Sequence, residues 1–185
     1  SLENSDKIEE YIVDYKNKLK SDIDFSILNK EVSYNKSNYF FISLLFYFLS
    51  FLLGSVGLLS TQKYFRLPSV LSLIIGFLIH SYGIIIRMIV MQRPPVSTLY
   101  ESIIFVGFVV IFLGIIFELV RKDSISLLTS AIGGIILHYV GMKYAADGDT
   151  LEILVAVLNS NFWLSIHVTT ITFGYGVSII AGLMA

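Results

Sequence analysis

The stretch YFFISLLFYFLSFLLGSVGLLS, from Tyr39 to Ser60, contains 22 residues and no charged side chain. A helix needs roughly 20 apolar residues to cross about 30 Å of hydrocarbon, so this run is long enough to span a membrane. The rest of the chain contains four further runs of the same kind: Pro68–Met91, Thr98–Val120, Ile125–Tyr144 and Phe162–Ala185. The sequence therefore predicts an all-α, polytopic transmembrane helix bundle with about five spans.

The composition supports this class and excludes others. The 185 residues are 55% hydrophobic and only 15% charged, where a soluble domain carries about 25% charged residues. Since the net charge is −1, no basic surface for nucleic acid is expected. The sequence contains no cysteine, which excludes disulfides and thiolate metal sites within it.

The charged residues concentrate in a polar lead at residues 1–37, ahead of the transmembrane domain at residues 38–185. An apolar stripe in Ile8–Lys20 predicts an extramembrane amphipathic helix, either packed on the protein or lying on the lipid surface. The chain begins abruptly at Ser1, and its fifth apolar run reaches Ala185 without a flanking charge. We therefore expect the chain to be a piece of a longer protein, incomplete at both ends.

The orientation follows from the lysine and arginine residues, which are more frequent in short loops on the cytoplasmic side of a membrane. Loop 61–67 and turn 121–124 each carry two basic residues, and an even number of spans separates them. The opposite side receives one or two basic residues and the acidic connector 145–161. We expect a multi-pass membrane protein with lead 1–37 and the start of the fifth span on the outer side.

Ionisable side chains at membrane depth are candidates for function because their burial costs several kcal/mol unless they are paired or hydrated. His80 lies near the middle of the second span and shares a helix face with Gly76, Gly83 and Arg87. The glycines would let a helix or a flat ligand approach closely, and Arg87 could hold a carboxylate. The alternative is a structural hydrogen bond from His80 to a neighbouring helix. For His138, which lies among glycines, we expect a structural or interfacial role.

His167 lies near the outer end of the fifth span, one helical turn after Trp163. The shared face continues through Thr170, Gly174 and Ser178. A neutral imidazole at this depth can bind a metal, and the indole can provide a stacking wall. The alternative is an ordinary interface residue.

The turn before the third span reads QRPPVSTLYES, from Gln92 to Ser102. Its two prolines stiffen an extended turn, and Ser97 or Thr98 can cap the helix with Glu101 as the return partner of Thr98. Capping does not explain the charge pair of Arg93 and Glu101 or the presence of Tyr100. No catalytic triad, phosphate-binding glycine loop or HExxH motif occurs in the sequence.

Two stretches resemble the System II cytochrome c synthases of the CcsA/ResC type, which include fused CcsBA proteins. These stretches are RPPVSTLYES, from Arg93 to Ser102, and FWLSIHV, from Phe162 to Val168, followed by Tyr175. Within the first stretch, the positions that carry the motif are Arg93, Pro94, Pro95, Tyr100 and Glu101. The resemblance covers roughly residues 36–185 and includes the His80-to-Arg87 pattern.

The resemblance implies a heme-handling part of a holocytochrome c synthase, a heme-thioether-forming lyase, in the bacterial inner (cytoplasmic) membrane. Heme b would be held at the outer membrane face and attached to the CxxCH motif of apocytochrome c, with a ResB/CcsB-like half as a fused or separate partner. His167 matches an external axial heme ligand, with Trp163 and Tyr175 beside it; His80 and Arg87 are weaker candidates for heme binding. The family's tryptophan-rich segment and second external histidine are absent from this sequence, which contains one tryptophan.

Two other functions remain open from the sequence. One is a heme exporter or channel module without covalent chemistry, suggested by the glycine-lined faces around His80 and His138. The other is a structural subunit that packs a complex through its small-residue faces.

Overall fold

The computed structural model describes residues 38–60, 62–91, 94, 96, 98–122, 124–146 and 161–185. Five helices account for nearly all of them: α1 (Tyr39–Leu59), α2 (Gln62–Met91), α3 (Leu99–Arg121), α4 (Ile125–Ala146) and α5 (Asn161–Met184). No β-strand occurs within these residues. Each helix is long and apolar enough to cross a membrane. The predicted all-α transmembrane bundle of five spans is confirmed, whereas the lead at 1–37 and its amphipathic helix lie outside the described residues.

Four of the five helices agree with the predicted spans to within two residues at each end. The exception is α2, which begins at Gln62, six residues before the predicted span at Pro68. The difference arises because residues 62–67 include the charged side chains Lys63 and Arg66, which interrupt the apolar run although the segment is helical. What reads as a loop in the sequence is therefore the first turn and a half of α2.

The helices α1 and α2 form an antiparallel pair held together by serine side chains. Ser50 Oγ donates to the Ser69 carbonyl at 2.9 Å, and Ser69 Oγ donates to the Ser50 carbonyl at 2.6 Å. One turn further along, Ser72 Oγ donates to the Phe46 carbonyl at 2.9 Å. Small hydroxyl residues suit this position because they allow close helix approach and form hydrogen bonds where no water competes.

The core lies where the first four helices meet. Its buried side chains come from α1 to α4: Tyr47, Leu73, Ile111, Leu127 and Ala131. The helix α4 contacts all the other helices, whereas α5 packs mainly on α3 through Ile180 against Val106 and Val110. Most side chains of α5 therefore face away from the described bundle.

Candidate functional site

The turn before α3 contains the capping box that the sequence predicts. Thr98 is the N-cap of α3, and its Oγ1 accepts a hydrogen bond from the Glu101 N–H at 3.1 Å. In return, Glu101 Oε2 accepts from the Thr98 N–H at 3.1 Å. Two amides that a helix start leaves without partners are thus satisfied. The predicted cap at Thr98 is confirmed.

The second carboxylate oxygen of Glu101 binds Arg87, which comes from α2. Arg87 Nε donates to Glu101 Oε1 at 2.9 Å, and the two side chains are only 12% and 3% exposed. The guanidinium carbon also lies 4.9 Å from the centre of the Tyr100 ring, which is a cation–π distance. The carboxylate that Arg87 was expected to hold is therefore a glutamate of this chain. Arg93 and Pro95 lie outside the described residues.

A small pocket lies beside this ion pair. Its enclosed part has room for about one water molecule. The lining combines the charged pair with apolar and aromatic side chains, which are Phe40, Ile84, Arg87, Met88, Pro94, Tyr100, Glu101 and Ile104. Phe40 closes the pocket toward the interior, because its ring also contacts His80, with the two ring centres 5.7 Å apart.

A second ion pair joins α2 and α3 at the opposite end of the bundle. Arg66 Nε donates to Glu118 Oε1 at 2.7 Å, and Glu118 is 1% exposed. Glu118 Oε2 accepts from the Ser124 N–H at 3.0 Å, at the start of α4. Each glutamate of α3 thus binds an arginine of α2 and a main-chain amide at a helix start.

His80 of α2 is fully buried, and its ring contacts side chains of α1, α3 and α4. Its Nδ1 lies 3.0 Å from Tyr47 Oη, and Gly76 makes this approach possible because a Cβ there would lie 2.8 Å from the Tyr47 ring. The structural alternative, a hydrogen bond from His80 to a neighbouring helix, is what the structure contains. The main chain of Ile104 in α3 also forms a hydrogen bond with the His80 ring.

His138 of α4 is also fully buried, and it is hydrogen-bonded through both ring nitrogens. Nδ1 lies 2.9 Å from the Gly134 carbonyl, which can only accept, so Nδ1 carries the proton and donates. Nε2 lies 3.2 Å from Ser43 Oγ, whose single hydrogen can also reach the Phe40 carbonyl at 2.9 Å. His138 thus ties α4 to α1, in agreement with its expected structural role.

The two buried histidines lie side by side inside an aromatic shell. Their ring centres are 4.4 Å apart and their planes are nearly perpendicular, at 83°. Phe40 and Tyr47 contact both rings edge-on, and Phe108 contacts His80. No group of three or more histidine, cysteine, aspartate or glutamate side chains with metal-binding geometry occurs in the described part of the chain. The pair is therefore a polar centre between helices that can span a membrane, and the described residues add no third metal ligand to it.

His167 faces outward from the first half of α5, as do its expected neighbours. The His167 side chain is exposed, and Trp163 and Tyr175 are 64% and 61% exposed. Two helices, α3 and α4, separate the turn before α3 from the start of α5. This turn and the start of α5, which carries His167, therefore lie at the same end of the bundle. The structure therefore does not bring His167 near the buried pair of His80 and His138.

The sequence did not reveal three contacts of this region: His80 with Tyr47, His80 with His138, and Arg66 with Glu118. Tyr47 is one of many aromatic residues in its span, and no local pattern distinguishes it from the rest. A signal did exist for Arg66 and Glu118, since each is a lone charge at the edge of an apolar run.

Comparison of the chain with models of known protein families gives no match, and comparison with curated protein sequences gives none either. The resemblance to System II synthases thus rests on the two stretches of sequence that carry it.

Proposed function

We propose that this chain is the heme-handling part of a System II cytochrome c synthase, which holds heme b at the outer membrane face for attachment to apocytochrome c. One observation carries the proposal: His167 is exposed on α5, at the end of the bundle where the motif-bearing turn before α3 also lies. An imidazole in this position is accessible to a large planar substrate, whereas His80 and His138 are enclosed.

The chain's own residues would bind and orient heme. An imidazole nitrogen of His167 would hold the heme iron, and exposed Trp163, one turn earlier, would offer a ring for stacking. The thiols of the CxxCH motif would add across the two vinyl groups, each sulfur bonding to one vinyl carbon and its hydrogen going to the other. No net oxidation occurs in such an addition, so positioning is the main requirement.

The motif residues of the turn would support this end of the bundle without touching heme. Glu101 caps α3 and binds Arg87, and Tyr100 packs against the guanidinium. These contacts connect the end of α2 to the start of α3. We therefore assign Arg87 and Glu101 a positioning role, since the charge of each is engaged by the other.

The exporter alternative has less support. The glycine-lined faces that suggested it are filled by neighbouring helices, with Gly76 against Tyr47, Gly83 against Phe40 and Gly141 against Ile104. The described residues leave no passage along these faces.

The test is the absorption spectrum of the full protein purified with its System II partner half. We expect a Soret band that His167→Gly weakens and that added imidazole restores, because free imidazole can occupy the vacated ligand position. Ser178→Gly is the matched control, since Ser178 is exposed on the same helix face, about three turns further along. An unchanged spectrum together with unchanged cytochrome c maturation in His167→Gly would reject the assignment.

A further inference from the structure

The guanidinium of Arg66 is only partly used by the ion pair that joins α2 to α3. Its Nε donates to Glu118 Oε1 at 2.7 Å, and Nη2 reaches the Glu118 carbonyl at 3.5 Å. A guanidinium has five N–H donors, so Nη1 keeps two that have no acceptor among the described residues. The Arg66 side chain is 31% exposed, whereas Arg87 is 12% exposed and packs on Tyr100. Arg66 can therefore bind a further anion.

Lys122 lies beside Arg66 because both residues approach the same oxygen atom. Lys122 is the C-cap of α3, and its main-chain N–H donates to the Glu118 carbonyl at 2.9 Å. The Nη2 atom of Arg66 reaches that carbonyl from α2. The side chain of Lys122 is exposed. Two cationic residues from different helices thus meet at one surface, at the end of the bundle that carries the turn between α3 and α4.

The charge at this end of the bundle is positive. Glu118 is 1% exposed, and its second oxygen accepts from the Ser124 N–H at 3.0 Å, so both of its carboxylate oxygens are engaged. The segments that form this end, residues 58–67 and 118–126, contain two acidic residues. The same segments contain four basic residues, which are Lys63, Arg66, Arg121 and Lys122. The excess of basic residues attracts an anion from outside the described chain.

Arg66 lies where the apolar part of α2 begins. Residues 67–86 contain no aspartate, glutamate, lysine or arginine, so the level of Arg66 suits the boundary between hydrocarbon and headgroups. Leu67 is exposed directly after Arg66, and Leu119 and Val120 are exposed directly after Glu118. An inorganic phosphate would use only the cations. A phospholipid would use the cations for its phosphate and these apolar side chains for its acyl chains.

We propose that the surface formed by Arg66, Lys122 and these apolar side chains binds an anionic phospholipid. The phosphate accepts hydrogen bonds from Arg66 Nη1, and the ammonium group of Lys122 attracts the same headgroup. The choline group of a zwitterionic lipid adds a positive charge, which the excess of basic residues disfavours. This inference goes beyond the proposed function and does not depend on it, because it uses neither heme nor His167.

The test is native mass spectrometry of the full-length protein, titrated in detergent with phosphatidylglycerol or with phosphatidylcholine of the same acyl chains. We expect the first phosphatidylglycerol to bind about tenfold more tightly than the first phosphatidylcholine. Lys122→Gln should weaken phosphatidylglycerol about fivefold, the effect of one basic side chain near a membrane surface. Arg66→Lys keeps a cation for Glu118 but loses the forked donors, so we expect about two- to threefold weaker binding.

Lys143→Gln is the matched control, because Lys143 is an exposed lysine in the last turn of α4, at the opposite end of the bundle. Its affinity for phosphatidylglycerol should equal that of the unchanged protein. Equal affinity for the two lipids would overturn the proposal, as would a Lys122→Gln variant that binds phosphatidylglycerol normally. Displacement of the lipid by excess inorganic phosphate would also overturn it, since it would indicate a site for the free anion. The Soret test of His167 is independent of all these outcomes.

Discussion

At the scale of single residues, Glu101 is the side chain on which the turn between α2 and α3 depends. It caps α3 and neutralises Arg87, which is only 12% exposed. Glu101→Gln retains an acceptor for the cap but leaves the arginine without its counter-ion. We expect a loss of about 3–5 kcal/mol in the free energy of unfolding, since an uncompensated buried charge is costly. Unfolding in mixed detergent micelles, followed by circular dichroism, would measure it.

The other ion pair supplies the control for this prediction. Glu118→Gln should cost less, because Arg66 is 31% exposed and can become hydrated. Adding Arg87→Leu to Glu101→Gln should recover part of the loss by removing the unpaired charge. If Glu101→Gln lowered stability by less than about 1 kcal/mol, Arg87 would not depend on Glu101 and our description of this turn would be wrong.

Local contacts of this kind are what a sequence can predict. The cap from Thr98 to Glu101 spans three residues and follows from spacing alone, and it was confirmed. Tyr47 and His80 are 33 residues apart, and their contact depends on how α1 and α2 pack. The partner of Glu101 likewise depended on tertiary structure, because Arg87 reaches it from the preceding helix.

At the scale of helices, α5 is the element whose packing can be tested most directly. It meets α3 along a narrow line of side chains that includes Gly176, where a Cβ would lie 2.5 Å from Val109. Gly176→Ala should therefore force α3 and α5 apart and cost about 1–3 kcal/mol, as overpacking of a tight contact does. The measurement is the midpoint of unfolding in mixed micelles.

Gly174→Ala is the matched control on the same helix, because nothing lies within 4 Å of a Cβ at that position. Both substitutions gain the same helix propensity, so the difference between them reports the contact with α3. Equal stability of the two variants would show that α5 does not pack on α3 through Gly176.

Helix positions were predictable to within two residues for four helices because apolar length determines them. The beginning of α2 was missed because Lys63 and Arg66 interrupt the apolar run within its first six residues. The face of α5 that contacts the bundle was not predictable either. Its two faces are similarly apolar, with small residues on both, so periodicity alone does not choose between them.

At the scale of the whole molecule, the two ion pairs indicate where the membrane begins and ends. Arg66 and Arg87 are 21 residues apart on α2, which is about 31 Å along a helix and close to the thickness of the hydrocarbon core. Each pair therefore suits one boundary of the bilayer, with the pair of His80 and His138 between them. The distance between the two membrane boundaries follows from the sequence once the two ion pairs are known. Which glutamate each arginine binds could be learned only from the structure.

The direction of insertion is the last property that the charges predict. Lys63, Arg66, Arg121 and Lys122 all lie at one end of the bundle, which should face the cytoplasm. The chain has no cysteine of its own, so single cysteines can report each end. We expect a membrane-impermeant maleimide to label Lys143→Cys in intact cells but to label Ser60→Cys only after permeabilisation, since these exposed residues lie at opposite ends. The reverse pattern would place His167 on the cytoplasmic side, where it could not hold heme for an external apocytochrome, and the proposed function would fail with it.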